Sequence, residues 1–392
     1  MGERNFANRT LYHGDNLDFL RGMNSETVHL IATDPPFNKN RDFHATPDSL
    51  ARGARFRDRW RWEEDVHEEW TDGIIDDWPA VWEVITAARA AYGDDMGAFL
   101  CWLGVRLMEM HRVLRPDGSL YLHCDPTASH YLKAMLDAIF GWKNFRSEVI
   151  WKRHAHSHSL GARQWPAIHD SLLMYSKSSS WVWNTQFTPY TEKYIRQSFR
   201  NTDKRGRYQS YPITGARPGG AEAYSPWRGI KPSPGRAWAL PRHSLFPAWL
   251  ELPPEEEWQS FGIHAKLDIL DNIGMIHWPK KKGGQPTLKR YLRDAPGKIM
   301  EGLWTELGVR VGAKERTGYP TQKPLALYRR IIEASSNEGD IVLDPFCGCA
   351  TTPVAAEQLK RQWVGMDIWD GARDIVLRRL QDDWLFTQEG VE

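Results

Sequence analysis

The sequence predicts an α/β fold: a doubly wound, mostly parallel sheet into which a second domain is inserted. Three observations predict it. Short apolar runs of strand length alternate with stretches of helical apolar spacing, the order that lays helices on both faces of a parallel sheet. Two of the runs, Val28–Ala32 and Ile341–Leu343, lead into Asp-Pro turns at Asp34-Pro35 and Asp344-Pro345, more than 300 residues apart in a chain of 392. The alternation lapses after about residue 178 and helix-and-strand order returns with Thr321-Gln322-Lys323-Pro324. The expected segments are therefore 1–178, 179–304 and 305–392, with the outer two sharing one sheet.

Thr10–His13 reads as a strand that enters a Gly14-Asp15 turn. Asn16–Met23 follows as a short helix with Leu17 and Leu20 on one face. The strand Val28–Ala32 must leave the sheet at Pro35 and Pro36, because proline donates nothing to a ladder. Residues 38–80 are rich in Arg, Asp, Glu and Trp, and Arg55–Trp62 shows no clean period. Such a stretch beside a reaction centre is either a lid or DNA-contacting loop, or a solvated excursion. Gly97–Leu114 has helical spacing, with Phe99, Leu100, Leu103, Leu107, Met110 and Val113 as its buried stripe. Arg115–Gly118 is expected to be a turn, Ser119–His123 a strand and Ser129–Phe140 a helix. Val149–Trp151 and Ser171–Tyr175 complete the first set of strands. The middle segment, rich in Pro, Gly, Trp, Tyr and Arg, is expected to form an irregular or small-sheet domain.

Composition narrows the function classes. Hydrophobic residues make up 41% and charged residues 26%, enough apolar material for a real core. No apolar run approaches the roughly 20 residues of a membrane span, and the first residues lack the apolar stretch of a signal peptide. The cysteines Cys101, Cys124, Cys347 and Cys349 fit neither a disulfide framework nor a zinc knuckle, which points to the reducing cytoplasm. Net charge is only +1, so affinity for a polyanion must come from local basic patches. The 20 tryptophans serve either core packing or base stacking.

The two Asp-Pro turns carry the chemistry. Both stand at carboxyl ends of strands, where open α/β sheets bind ligands, and neighbouring strands would put them in one crevice. An exocyclic amine on a nucleobase is a poor nucleophile because its lone pair is delocalised into the ring. Acceptors on its two N–H bonds favour a pyramidal nitrogen with a free lone pair. In Asp34-Pro35-Pro36-Phe37 the Asp34 carboxylate accepts one bond, the Pro35 carbonyl the other, and the Phe37 ring stacks on the base. Asp344–Thr352 offers a turn of small residues before a helix. Asp367, ending the strand Gln362–Met366, is placed to accept from ribose hydroxyls. No Walker-type loop is present. Cys347 and Cys349 lack partners for a metal, and the alternating His154, His156 and His158 fit a DNA-facing loop better than a metal site. No metal is expected.

These segments resemble the β group of amino-methylating DNA methyltransferases, in which the catalytic motif precedes the cofactor motif and target recognition lies between them. Thr33–Phe37, Val113–Ser119, Tyr319–Pro324 and Asp344–Thr352 carry the resemblance. It implies a Rossmann-like methyltransferase sheet with an inserted target-recognition domain, and an S-adenosylmethionine site at Asp15, Thr321, Gln322, Lys323, Asp344, Phe346, Gly348 and Asp367. It also implies catalysis at Asp34–Phe37 on the N6 amine of an adenine flipped out of sequence-specific double-stranded DNA. Asp at the first catalytic position favours adenine. The alternatives are the N4 amine of cytosine, an RNA substrate, or a silent DNA-binding subunit. Lys152, Arg153, Arg163, Arg205, Arg207, Lys280, Lys281 and Lys282 are the expected phosphate contacts. A homodimer and a restriction partner are compatible with the resemblance. Ala350 stands where the family usually has glycine, so a right-handed backbone is expected there. Phe37 replaces the commoner Tyr and keeps its stacking face.

Overall fold

The computed structural model describes residues 2–153, 163–216, 220–281, 283–307 and 315–387. Eight strands form the main sheet: β1 (Thr10–His13), β2 (Val28–Thr33), β3 (Leu114–Cys124), β4 (Phe145–Lys152), β5 (His169–Ser176), β6 (Leu303–Trp304), β7 (Ile341–Asp344) and β8 (Gln362–Asp367). Their spatial order is β1-β8-β7-β2-β3-β5-β4-β6. Only β5 runs against its neighbours, β3 and β4; every other pair is parallel.

Alternate residues supply the two faces of the sheet. Ile31, Leu120, Leu122 and Leu343 pack with α1 (Asn16–Gly22), α2 (Asp94–Val113) and α3 (Ser129–Leu136). Leu30, Ala32, Tyr121 and Val342 pack with α4 (Leu325–Ser335) and α5 (Thr351–Gln358). Both faces are therefore covered, which is the doubly wound arrangement. Chain order explains the position of β7. Separated from β2 by more than 300 residues, it pairs beside it with Val342 opposite Leu30 and Leu343 opposite Ile31. The two Asp-Pro turns thus leave adjacent strand ends.

Two sequence expectations need correction. Arg115–Gly118 is not a turn between elements but part of β3. Val28 pairs with Leu114 and Leu30 with Ser119, so four residues of β3 stand opposite His29 alone. This is a bulge, and a Cβ at Gly118 would lie 3.0 Å from the His29 carbonyl oxygen. Residues 38–80 are not one loop. Arg41–His44 and Arg55–Asp58 form an antiparallel hairpin, followed by helices Trp62–Asp65, Glu68–Asp77 and Pro79–Ala91. A period of two was present in Arg55–Asp58. Its inward side carries Phe56, stacked on Phe43 at 4.8 Å, and the buried Asp58, and a buried carboxylate hides an apolar alternation.

The chain divides into two compact units, 1–186 with 301–392, and 187–300. The second has its own four-stranded antiparallel sheet: Ile276–His277, Thr287–Tyr291, Gly206–Pro212 and Asn201–Asp203. Its own core includes Trp227, Trp238, Trp258, Leu267 and Leu270. Among the described residues no helix is long and apolar enough to cross a membrane.

Candidate active site

A cavity of about 410 Å³ opens at the carboxyl ends of β2, β7 and β8. Asp34, Pro35, Pro36 and Phe37 line one part of it. Asp15, Thr321, Gln322, Lys323, Asp344, Phe346, Gly348 and Asp367 line the rest. All twelve residues expected for catalysis and cofactor therefore meet in one space, joined by Asp58, Trp60, Trp102, Arg106 and Tyr319.

On the cofactor side, Asp344 is fully committed to its own chain. Its carboxylate accepts from the Thr33 hydroxyl at 2.9 Å, the Thr352 hydroxyl at 2.6 Å and the Phe346 N–H at 3.1 Å. It thereby ties the end of β2 to the loop after β7. Burial pushes the carboxyl up to about 7, against the pull of those donors. Asp367 accepts from the N–H groups of Gly348 and Trp369, and burial raises its carboxyl as well. Neither carboxylate has a lysine or arginine ion pair among the described residues. Gln322 folds back on its own loop, bonding the Thr317 N–H and the Glu315 carbonyl. Cys347 and Cys349 are buried, and burial raises both thiols. Among the described residues no three His, Cys, Asp or Glu side chains are placed to hold a metal.

Asp344 yields a pH expectation. An acid whose folded value lies above its unfolded value near 4 gives stability that is present at low pH and lost as pH rises through the folded value. Wild type should therefore lose stability relative to Asp344→Asn between about pH 4 and pH 7, by on the order of 4 kcal/mol at most. Urea midpoints across that range check it, and parallel profiles for the two proteins would refute it.

The loop backbone corrects the expectation for Ala350, which is left-handed with φ 66° and ψ 32°. The reason is the turn: the Ala350 N–H bonds the Cys347 carbonyl while its own carbonyl already starts α5 by accepting from Val354. Gly348 is also at positive φ, 52°, and a Cβ there would meet the Tyr319 ring at 3.0 Å. Left-handed strain at Ala350 is about 1 kcal/mol, against about 0.8 kcal/mol for its buried methyl. Ala350→Gly should therefore leave the thermal midpoint nearly unchanged. Ala350→Val adds branching to a left-handed, fully packed position and should lower it by several degrees.

The side of the cavity expected to hold the amine is built around Asp34. Lys323 places Nζ 2.5 Å from Asp34 Oδ2 and 3.2 Å from the Thr321 carbonyl. This lysine, expected at the cofactor, lines the cavity and also anchors one oxygen of Asp34. Asp34 Oδ1 is buried and has no hydrogen-bond partner among the described residues. Phe37 is fixed from behind by Asp58, whose carboxylate accepts from the N–H groups of Phe37, Asn38 and Lys39 and from the Trp60 indole. Arg106, buried in α2, donates to both Asp15 oxygens and to Asn16, while Asn16 donates to the Pro345 carbonyl. Asp58, Arg106 and Asn16 were missed in the sequence. For Arg106 a signal existed: it lies three residues after Leu103 and four before Met110, on the helix's buried stripe.

The expected phosphate contacts divide. Arg153 faces the buried Asp170 at 3.1 Å, and the Arg207 guanidinium donates to the carbonyls of Ile195 and Phe199 at the end of a helix. Both are engaged within the chain. Arg205 lies over the Trp249 ring. Arg163, Lys280 and Lys281 are exposed and Lys152 is half-buried. Lys282 and His154, His156 and His158 lie outside the described residues.

A family model described as DNA methylase matches residues 28–378. Type II methyltransferase M.EcaI of Enterobacter cloacae is 33% identical over 294 residues, 74% of this chain and 59% of the relative. The StyLTI Mod subunit, a type III restriction-modification enzyme of Salmonella typhimurium, is 24% identical over 92% of this chain and 52% of its own length. DNA adenine methyltransferase YhdJ of Escherichia coli is 24% identical over 95% of this chain and 82% of its own length. The chain thus spans between half and three-fifths of the first two relatives.

Proposed function

The chain belongs to the DNA methylase family, and from that premise we propose that it transfers a methyl group from S-adenosylmethionine to the N6 amine of adenine in duplex DNA. One observation carries the reading. A carboxylate with one anchored and one free oxygen, Asp34, shares a cavity with two desolvated carboxylates, Asp344 and Asp367, that lack cationic partners of their own. A sulfonium supplies the missing positive charge, since an opposite charge nearby favours the ionised carboxylate. Asp34 Oδ1 then holds an N–H of the amine, and Phe37 offers a face to the base.

When bound, the cofactor supplies an electrophilic methyl. The chain's part is to hold the amine in line with it and to exclude water, and effects of this kind need no covalent intermediate. The amine of a paired adenine lies inside the helical stack, so the base must be flipped out at a cost of a few kcal/mol. Contacts in the inserted unit offset that cost. Residues 187–300 hold 19 Lys and Arg against 10 Asp and Glu, a net +9 in a chain of total +1. This concentration supports a DNA-recognising role for that unit, because phosphate contacts dominate affinity. The adenine assignment is supported by Asp34 in the first catalytic position and by the name of the YhdJ relative. The type III Mod relative supports a restriction partner as an extension of the same reading.

Methyl-labelled S-adenosylmethionine and unmethylated duplex DNA test the proposal. Label retained on the DNA is the expected result. Bound cofactor without transfer would leave a silent binding subunit.

A further inference from the structure

Behind Asp34 stands a buried histidine that the site described above does not use. His123 ends the apolar run of β3, and Asp170 begins β5 beside it; neither side chain is exposed. His123 Nε2 lies 3.0 Å from Asp170 Oδ2, and Asp170 Oδ1 lies 3.1 Å from Arg153 Nε. Burial raises the Asp170 carboxyl, but the hydrogen bond to His123 and the charges of Arg153 and Lys323 help to bring it below the usual range. An ionised acceptor at Nε2 makes that nitrogen the N–H donor and leaves a lone pair on Nδ1.

Nδ1 faces Asp34 Oδ1 at 3.9 Å, and both atoms are buried without a hydrogen-bond partner among the described residues. The ring is held there by Phe37, stacked at 5.6 Å, and by the edge-on Trp151 at 5.5 Å. Two buried acceptors pointing at one another across a gap too long for a direct hydrogen bond are each left unsatisfied, at a cost to the fold. The arrangement makes sense once a proton has to pass between them. The other Asp34 oxygen is already paired with the Lys323 ammonium.

Resting on the amine-transfer reading, we propose that His123 is a positioning residue that takes over, through Asp34, the proton released by the methylated amine. The N–CH3 bond forms as the C–S bond breaks, and sulfur keeps the electron pair as a neutral thioether. The N–H bond then breaks and its electrons return to nitrogen. The proton goes to Asp34 Oδ1 and on to His123 Nδ1, giving an imidazolium paired with ionised Asp170. The positive charge that left sulfur reappears on the imidazole. The charged groups facing His123 are Asp34 and Lys323 on the site side, Asp170 on β5 and Arg153 after β4, with Glu148 and Lys39 further out.

Single-turnover label transfer, measured against pH in H2O and D2O, tests this in wild type, His123→Asn and Asp170→Asn, with cofactor affinity followed by calorimetry. Wild-type transfer should depend on pH and should be slower in D2O. His123→Asn should be slower by roughly 10²-fold, with a flat pH profile and unchanged cofactor affinity. Asp170→Asn, which keeps the ring but no longer stabilises the imidazolium, should also be slower, with an altered pH profile. It carries the test if His123→Asn fails to bind cofactor. Rates within twofold of wild type and an unaltered profile in the variants would overturn the inference alone. No label transfer by wild type would overturn the underlying reading with it.

Discussion

Asp34→Ala is expected to reduce methyl transfer by roughly 10³-fold, the scale of removing a preorganised electrostatic partner of the reacting group. The loss should appear in the transfer rate constant because Asp34 Oδ1 is the free acceptor at the site. Cofactor affinity should respond differently, for a reason visible in the geometry. Lys323 is 7% exposed and its ammonium rests on Asp34, so the single variant leaves an unpaired cation in the cavity that we propose holds a sulfonium. Affinity for S-adenosylmethionine should therefore fall severalfold in Asp34→Ala. It should recover in Asp34→Ala/Lys323→Met, whereas transfer should not. Calorimetry and single-turnover kinetics on the three proteins separate the two roles, and transfer near wild-type rate in either variant would remove Asp34 from the chemistry.

The second large effect concerns stability. Arg106 is 1% exposed, donates to Asp15, Asn16 and the Trp102 carbonyl, and stacks on the Trp102 ring at 4.1 Å. Burial pushes its guanidinium down to about 10, with Asp15 pulling the other way. Breaking such an arrangement from one side typically costs about 3 kcal/mol or more. Arg106→Met should lower the urea midpoint accordingly and weaken cofactor binding, because Asn16 and Asp15 lose their anchor beside Pro345. Arg106→Lys should rescue little of either, since an ammonium cannot reproduce the planar fork that reaches three acceptors. A midpoint within experimental error of wild type would show that the network contributes nothing.

These residues also mark where the sequence stopped being legible. Strands such as Val28–Thr33 and Ile341–Asp344 were readable because both their faces are buried and their apolar runs are continuous. Their adjacency followed from the chemistry of the two turns, not from spacing. Asp58, His123 and Asp170 were silent because a buried polar side chain is indistinguishable from a surface one until its partner is known, and each partner is remote in sequence or on another element; Arg106 showed only as a charge on the buried stripe of its helix. Arg153 and Arg207, read from the sequence as phosphate contacts, are each also engaged by oxygens of their own chain, which the sequence alone did not show. Ala350 was misjudged because intrinsic preference was allowed to decide a backbone angle that the Cys347–Ala350 turn imposes.

The account stands or falls on which atom receives the methyl group. Unmethylated mixed-sequence duplex DNA, incubated with the protein and methyl-labelled S-adenosylmethionine, would be digested to nucleosides and resolved by mass spectrometry. The expected product is labelled N6-methyladenine. Label in N4-methylcytosine would keep the Asp34 chemistry and reverse the base, and label at a ring carbon, or on no nucleoside despite measured cofactor binding, would contradict it.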